Sequence, residues 1–176
     1  MRHLLRDGTV LVLRTAVPDD AEALLEHADA IARETVYTSY GPGEMGMTLD
    51  EERAFIERYA RESGELFLVA EVDGEIVGSL TFAAGRRSRT CHGGEFGMAV
   101  RRAWWRRGIG AILLDALLAW GRAHPVVTRI TLRVRCDNTP AMLLYATRGF
   151  EAEGRLVGDF VLEGVEYDHF AMAIRV

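Results

Sequence analysis

The stretch Asn138-Thr-Pro-Ala-Met-Leu-Leu-Tyr145-Ala-Thr-Arg-Gly149-Phe150 contains the start, body and end of one short helix. Pro140 is favoured in the first helical turn, because its φ is preset and its missing N–H needs no partner there. Gly149 is typical of the position just beyond a helix, where the backbone becomes left-handed. The stretch therefore predicts a helix from Pro140 to Arg148. Asn138 and Tyr145 are seven positions apart, two helical turns, so we expect them on one face.

Upstream, residues 95–111 read Glu-Phe-Gly-Met-Ala-Val-Arg-Arg-Ala-Trp-Trp-Arg-Arg-Gly-Ile-Gly-Ala and predict a strand, a short loop and the start of an apolar helix. The first N–H groups of a helix are free and lie at the positive end of its dipole. Gly108 and Gly110 would let a phosphate approach them, and Arg106 and Arg107 add positive charge, so we predict a pyrophosphate cradle. A tight turn before a buried helix is the alternative. The pattern matches neither a P-loop nor the three-glycine dinucleotide fingerprint.

The remaining chain divides into further strands and helices. Asp19 with Glu22, and Thr48 with Glu51, have the spacing of capping boxes that begin helices. The two-residue links Asp73-Gly74 and Glu163-Gly164 predict hairpins. The predicted strands are Val10–Arg14, Leu66–Val72, Glu75–Phe82, His92–Val100, Arg129–Arg135, Phe160–Leu162 and Val165–Ile174. With four helices the order is βααβββαβαββ, which indicates an α/β architecture: a mixed sheet with helices on its faces.

The two quoted stretches together resemble the two cofactor-binding motifs of the GNAT superfamily of N-acetyltransferases. Asn-x-x-Ala-x-x-Leu-Tyr-x-x-x-Gly-Phe matches the second motif at every fixed position, and the Gly-x-Gly segment resembles the first. The resemblance covers about Leu66 to Phe150. The tail from Glu163 to Met172 resembles the branch containing ribosomal-protein N-terminal, polyamine and phosphinothricin acetyltransferases. A single domain, residues 1–176, is implied, with a central twisted mixed sheet, a splayed parallel strand pair and helices on both faces.

The resemblance also implies acetyl-CoA as cosubstrate. Its pantetheine arm would enter beside the strand ending at Met98, Ala99 and Val100 and pair with their backbone groups. Its pyrophosphate would contact the N–H groups of the segment Arg106, Arg107, Gly108, Ile109, Gly110 and Ala111. Trp105 departs from the family pattern, which usually has Gln or Arg there, so we expect that side-chain role to pass to Arg106 or Arg107.

Direct acetyl transfer needs a base for the amine, a hydrogen-bond donor for the thioester oxygen and an acid for the leaving thiolate. We expect Tyr145 to be the acid; the alternative is an aromatic ring that only packs the helix. Glu95 is the candidate base, because it shares a strand face with the small residues Gly97 and Ala99. An ordinary exposed residue, with a water chain as base, is its alternative. A backbone N–H near Ala99 is the expected donor, and Asn138 either contacts pantetheine or caps the helix.

Three further residues are candidates for the acceptor site. Alternation places Asp168 on the apolar face of its strand, where a charge needs a partner or a cavity, so it either binds the substrate amine or forms a structural ion pair. Tyr37 and Tyr40 belong to a loop rich in Gly and Tyr and either line the acceptor pocket or lie on the surface. His169 falls on the opposite face from Asp168, so we assign no dyad to them.

Composition narrows the classes of protein. Of the 176 residues 49% are apolar and 27% charged, which is typical of a globular chain. The net charge of −5 argues against nucleic acid and suits a cationic substrate. Neither a signal peptide nor a membrane span is predicted, so we expect a cytoplasmic protein. The five histidines lack metal-ligand spacing, so no metal is expected, and Cys91 and Cys136 are expected to be free thiols.

The expected activity is acetyl transfer to a primary amine of a small molecule or a protein N-terminus. A non-catalytic acyl-CoA binding or sensing domain, and a module binding ATP or NAD, are the alternatives. The acceptor stays open among protein N-termini, polyamines, amino acids and aminoglycosides. The resemblance further implies a homodimer formed through the closing hairpin.

Overall fold

Eight strands form one sheet in a computed structural model that describes all 176 residues. The strands are β1 (Arg2–Leu4), β2 (Val10–Thr15), β3 (Glu65–Val72), β4 (Glu75–Ala84), β5 (Gly93–Val100), β6 (Arg129–Arg135), β7 (Glu151–Leu162) and β8 (Val165–Arg175). The helices are α1 (Ala21–Glu34), α2 (Leu49–Arg61), α3 (Ile109–Ala123) and α4 (Thr139–Ala146). The spatial order is β1-β2-β3-β4-β5-β6-β8-β7, and every pair is antiparallel except the parallel pair β5–β6. The predicted mixed sheet with one parallel pair is confirmed.

Two strands differ from the prediction. β1 is an additional strand of three residues, too short to produce a recognisable alternation. β7 begins at Glu151, nine residues earlier than the predicted start at Phe160. Its pairing with β8 shifts register twice, between Ala152 and Gly154 and between Leu156 and Phe160, so the period-two pattern of side chains is interrupted.

The predicted turns are confirmed by their backbone angles. Asp73 and Gly74 have φ values of 50° and 87°, and Glu163 and Gly164 have 50° and 79°. Positive φ at both central residues is what a type I′ hairpin turn requires. Gly149, just beyond α4, has a φ of 87°, as expected for the residue after a helix.

Helices cover both faces of the sheet. On one face, the fully buried Leu113 and Leu117 of α3 join Leu80 and Phe82 of β4 in a cluster of 23 buried residues. On the other face, α1 and α2 pack in a smaller cluster that includes Ile56. None of the four helices is long and apolar enough to cross a membrane.

The two predicted capping boxes have different outcomes. The Thr48 side chain accepts the Glu51 N–H and the Glu51 carboxylate accepts the Thr48 N–H, which confirms the start of α2. The cap predicted at Asp19 is wrong. A short 3₁₀ turn begins after Val17, and the Asp20 carboxylate accepts the Val17 N–H at 2.8 Å while pairing with Arg14.

The cysteine and metal-ligating side chains are dispersed. Cys91 and Cys136 are both free thiols, as predicted. No group of three or more His, Cys, Asp or Glu side chains is arranged to hold a metal ion.

Candidate functional site

β5 and β6 run side by side for only three residue pairs and then separate. Gly93 pairs with Arg129, and the last pair joins Glu95 to Thr131. β5 continues to Val100 and β6 to Arg135, with no pairing between them. The sheet therefore has a wedge-shaped opening, called here the β5–β6 gap, bounded by residues 96–100 and 132–135.

Alternation of the backbone determines which groups of β5 face this gap. Gly93 accepts the N–H of Gly85 and Arg101 donates to the carbonyl of Val77, so both face β4. Because backbone groups alternate sides with a period of two, the N–H of Ala99 also faces β4. The N–H and C=O groups of Phe96, Met98 and Val100 face the gap. Among the N–H groups near Ala99, where the thioester donor is expected, those of Met98 and Val100 face the gap.

The start of α3 is open to solvent beside this gap. Gly108 precedes the helix with a φ of 92°, and a side chain there would meet no atom within 4 Å. The N–H groups of Ile109, Gly110 and Ala111 are the first of α3 and have no partner within the helix. A Cβ at Gly110 would lie 3.2 Å from Leu144 Cδ2, so this glycine allows α3 and α4 to approach.

The two arginines before α3 are held differently. Arg106 has a φ of 61°, is exposed and forms no ion pair. Arg107 pairs with Asp7 of the β1–β2 turn at 2.7 Å, and its guanidinium stacks over Trp104. Arg106 is thus the free positive charge beside the helix start.

Trp105 bonds directly to the strand that borders the gap. Its indole N–H donates to the carbonyl of Val100 at 2.6 Å, and that carbonyl is one of the groups facing the gap. We expected Arg106 or Arg107 to replace the side chain of the Gln or Arg that the family usually has at position 105. The structure shows that Trp105 itself is a hydrogen-bond donor at that position.

Tyr145 lies beneath the gap on the face that carries α3. Only 8% of the residue is exposed, and its ring packs edge-on against Phe96, with centroids 5.8 Å apart, and against Phe150. Burial raises the pKa of Tyr145 to about 12, so the phenol is neutral at physiological pH. Asn138 Oδ1 accepts the N–H of Ala141 at 3.3 Å, which is a helix cap.

Glu95 is on the opposite face of β5, in a row of charged side chains. Its Oε2 lies 3.5 Å from Arg133 Nε, and Arg133 Nη1 lies 3.7 Å from Asp159 Oδ2. Asp159 Oδ2 lies in turn 3.2 Å from His169 Nδ1. The row extends from β5 across β6 to the bulge of β7.

A buried arginine forms the wall next to this row. Arg135 is 3% exposed, and its guanidinium lies 3.9 Å from the ring centroid of Tyr167, 4.9 Å from that of Tyr37 and 5.2 Å from that of Phe160. It donates to the Asp137 carboxylate and to the carbonyl of residue 36. Tyr37 thus lies next to the row of charged side chains that contains Glu95 and Arg133.

Residues 33–150 match the acetyltransferase (GNAT) family. The chain belongs to the GNAT family of acetyltransferases. It is 39% identical over 98 residues to an L-amino acid N-acetyltransferase of Escherichia coli (strain K12), covering 56% of this chain and 60% of that protein. It is 32% identical over 105 residues to an N-alpha-acetyltransferase of Sulfurisphaera tokodaii, covering 55% and 63%. The chain thus matches about three fifths of the length of these curated relatives. A GNAT acetyltransferase structure from Streptococcus pneumoniae superposes with a TM-score of 0.92 at 28% identity, covering 94% of this chain and 99% of that one.

Two predicted acceptor residues of this GNAT protein lie apart from the row. Asp168 pairs with Arg155 and accepts the N–H of Gly158 at 2.8 Å. These contacts, first the Gly158 N–H and then Arg155, lower the pKa of Asp168. Its carboxylate therefore lies on the face opposite Glu95 and forms the structural ion pair that is one of its two expected roles. Tyr40 is half-buried near Glu52 of α2, and burial raises its pKa.

The charged row also includes two residues that the sequence analysis did not single out, Arg133 and Asp159. Arg133 lies two positions from both Thr131 and Arg135 on β6, so the period of two predicts that these three side chains share one face of the sheet. The position of Asp159 could not be predicted in this way, because the bulge that brings it to His169 is not visible in the sequence.

Proposed function

We propose that this GNAT protein transfers the acetyl group of acetyl-CoA to a primary amine. The β5–β6 gap is the observation that carries the proposal. The α3 N-terminus lies beside it, since a Cβ at Gly110 would be 3.6 Å from Met98 Cε, and Tyr145 packs on Phe96 at its edge. The free strand edges suit the pantetheine arm, and the helix N-terminus suits the pyrophosphate. The phenol of Tyr145 suits the leaving sulfur.

The cofactor-binding residues follow from this arrangement. The amides of pantetheine would pair with the Met98 carbonyl and the Val100 N–H, as an added strand does with a free edge. The pyrophosphate would take the free N–H groups from Ile109 to Ala111 and the charge of Arg106. Asn138 would act through its cap, which holds the helix that carries Tyr145.

The chemical step assigns one role to each polar group. Glu95 accepts a proton from the amine, directly or through water, and the amine nitrogen forms a bond to the thioester carbon. The N–H of Met98 stabilises the negative charge on the carbonyl oxygen. The C–S bond then breaks, the nitrogen loses its remaining extra proton to solvent, and the thiolate takes a proton from the phenol of Tyr145, which solvent then replaces. Because its pKa is about 12, Tyr145 carries this proton at physiological pH until the thiolate forms.

An α-amine is the acceptor we propose. One of the two relatives is named as an L-amino acid N-acetyltransferase and the other as an N-alpha-acetyltransferase. The first name specifies an amino acid as acceptor and the second an α-nitrogen. Glu95 is 53% exposed at its side chain, so an amine can reach it from solvent.

Thiol release from acetyl-CoA, measured with L-amino acids, short peptides and a polyamine, tests the proposal. We expect amine-dependent release that Glu95→Gln reduces most at low pH, where more of the amine is protonated. Glu153→Gln is the matched control, because Glu153 is also an ion-paired surface carboxylate but lies away from the gap. Acetyl-CoA binding without thiol release for any amine would instead support a non-catalytic acyl-CoA domain.

A further inference from the structure

Arg133 is the central charge of the row that Glu95, Arg133 and Asp159 form on one face of the sheet. Because Glu95 is the proposed base, this face is called here the acceptor face. Its contacts to Glu95 and Asp159, at 3.5 and 3.7 Å, are at or beyond the length of a hydrogen bond. Its side chain is 53% exposed. The N–H groups of this guanidinium are therefore available to a ligand.

The other arginines on this face of β6 are fully engaged. Arg129 donates from both terminal nitrogens to the two oxygens of Glu153. Arg135 is buried and donates to Asp137 and to the main chain. Arg133 lies between them on the same strand and is the one beside the gap whose donors are free.

The charges on either side of Arg133 define what would fit. Glu95, Arg133 and Asp159 alternate negative, positive and negative, with separations under 4 Å. An α-amino acid carries an ammonium and a carboxylate on adjacent bonds of one carbon. It can therefore place its amine at Glu95 and its carboxylate at Arg133, replacing the loose Glu95–Arg133 contact by two complementary ones.

Resting on the acetyl transfer proposed above, we propose that the acceptor is a free α-amino acid whose carboxylate is bound by Arg133. Arg133 is then a specificity-determining residue of the reaction. The planar guanidinium can hold a carboxylate through two parallel hydrogen bonds, which fixes the orientation of the α-amine.

Other amines lack part of this complement. A peptide N-terminus has a neutral amide in place of the carboxylate, so it forms no charged pair with Arg133. A polyamine has a second cation there, which the guanidinium repels. The site therefore favours free amino acids over both.

Substrates matched in everything except the carboxylate test the proposal. For several L-amino acids, kcat/KM is compared among the free acid, its amide and its dipeptide with glycine. We expect the wild type to favour the free acid by roughly 10- to 100-fold, the range of a charged hydrogen bond. Arg133→Gln should bring the ratio of acid to amide close to one, mainly by slowing the acid, and Arg133→Lys should restore part of it. Arg129→Gln, on the same strand and face, should keep the wild-type ratio.

Two results would overturn the role of Arg133. One is a wild type that acetylates acids, amides and dipeptides equally well. The other is an Arg133→Gln variant that loses activity on acids and amides by the same factor. Either result leaves acetyl transfer itself intact. Failure of the proposed function is distinct, because then no compound of the series would release thiol.

Discussion

His27 should make the protein sensitive to mild acid. It belongs to α1, is only 3% exposed, and its Nδ1 lies 3.2 Å from the carbonyl of Ile76. Nε2 is buried without a partner. Burial, followed by the positive charge of Arg101, lowers the pKa of His27 from 6.5 to about 4, and the hydrogen bond with the Ile76 carbonyl and the charge of Glu34 oppose this shift.

The sign and size of the effect follow from linkage. Between pH 6.5 and 4 the unfolded chain holds a proton on His27 that the folded protein does not, so stability rises with pH in this window. Each pH unit corresponds to up to about 1.4 kcal/mol. Going from pH 7 to pH 5 should therefore lower the free energy of unfolding by about 1.8 kcal/mol through this residue alone.

Urea unfolding from pH 5 to 7, on the wild type and His27→Asn, measures this contribution. The asparagine amide can donate to the Ile76 carbonyl in place of Nδ1 but does not titrate. The variant will be less stable at pH 7, because the ring leaves a cavity. The decisive quantity is the slope against pH, which should be flatter in the variant by the amount above. Equal slopes would show that His27 does not titrate differently in the two states.

The remaining predictions concern the cofactor side. Tyr145→Phe should lower turnover roughly 10²- to 10⁴-fold, the range of general acid catalysis, with little change in the Kd for acetyl-CoA; unchanged turnover with chemistry rate-limiting would assign the ring to packing. Trp105→Phe removes the indole donor to Val100 and should weaken CoA binding about 5- to 10-fold by calorimetry, and Trp105→Gln should recover part of it; equal affinities of all three proteins would leave the bond without a role in binding. Acetyl-CoA at a hundred times its Kd should stabilise the protein by about 2.7 kcal/mol, and a melting curve unmoved by millimolar ligand would contradict the cradle.

Local chemistry explains why much of the fold was predictable. The hairpin at Asp73-Gly74 needs positive φ at both residues, which few residue pairs tolerate. The dipeptide alone therefore predicts the turn. The end of α4 at Gly149 follows for the same reason. The parallel pairing of β5 with β6 came from the resemblance to a family, because strand periodicity does not specify which strands pair.

The acceptor face was less predictable, because it depends on register. Period-two alternation separates Asp168 from His169 correctly, but the bulge between Leu156 and Phe160 brings Asp159 to His169. The same alternation places the backbone groups of Met98 and Ala99 on opposite edges of β5, but only the register with β4 decides which of them borders the gap. The packing of Arg135 against Tyr37 joins residues 98 positions apart and leaves no local trace.

The short contact between β5 and β6 also has a mechanical meaning. Three residue pairs connect a five-stranded part of the sheet to a three-stranded part, so this is the shortest pairing between two interior strands of the sheet. A pantetheine chain lying in the β5–β6 gap would connect the two strands by hydrogen bonds, and these bonds would be lost when CoA leaves. The sheet would then be stiffer while CoA is bound and more mobile after CoA has left. Amide protons along the two edges of the gap should therefore exchange with solvent more slowly in the CoA-bound protein.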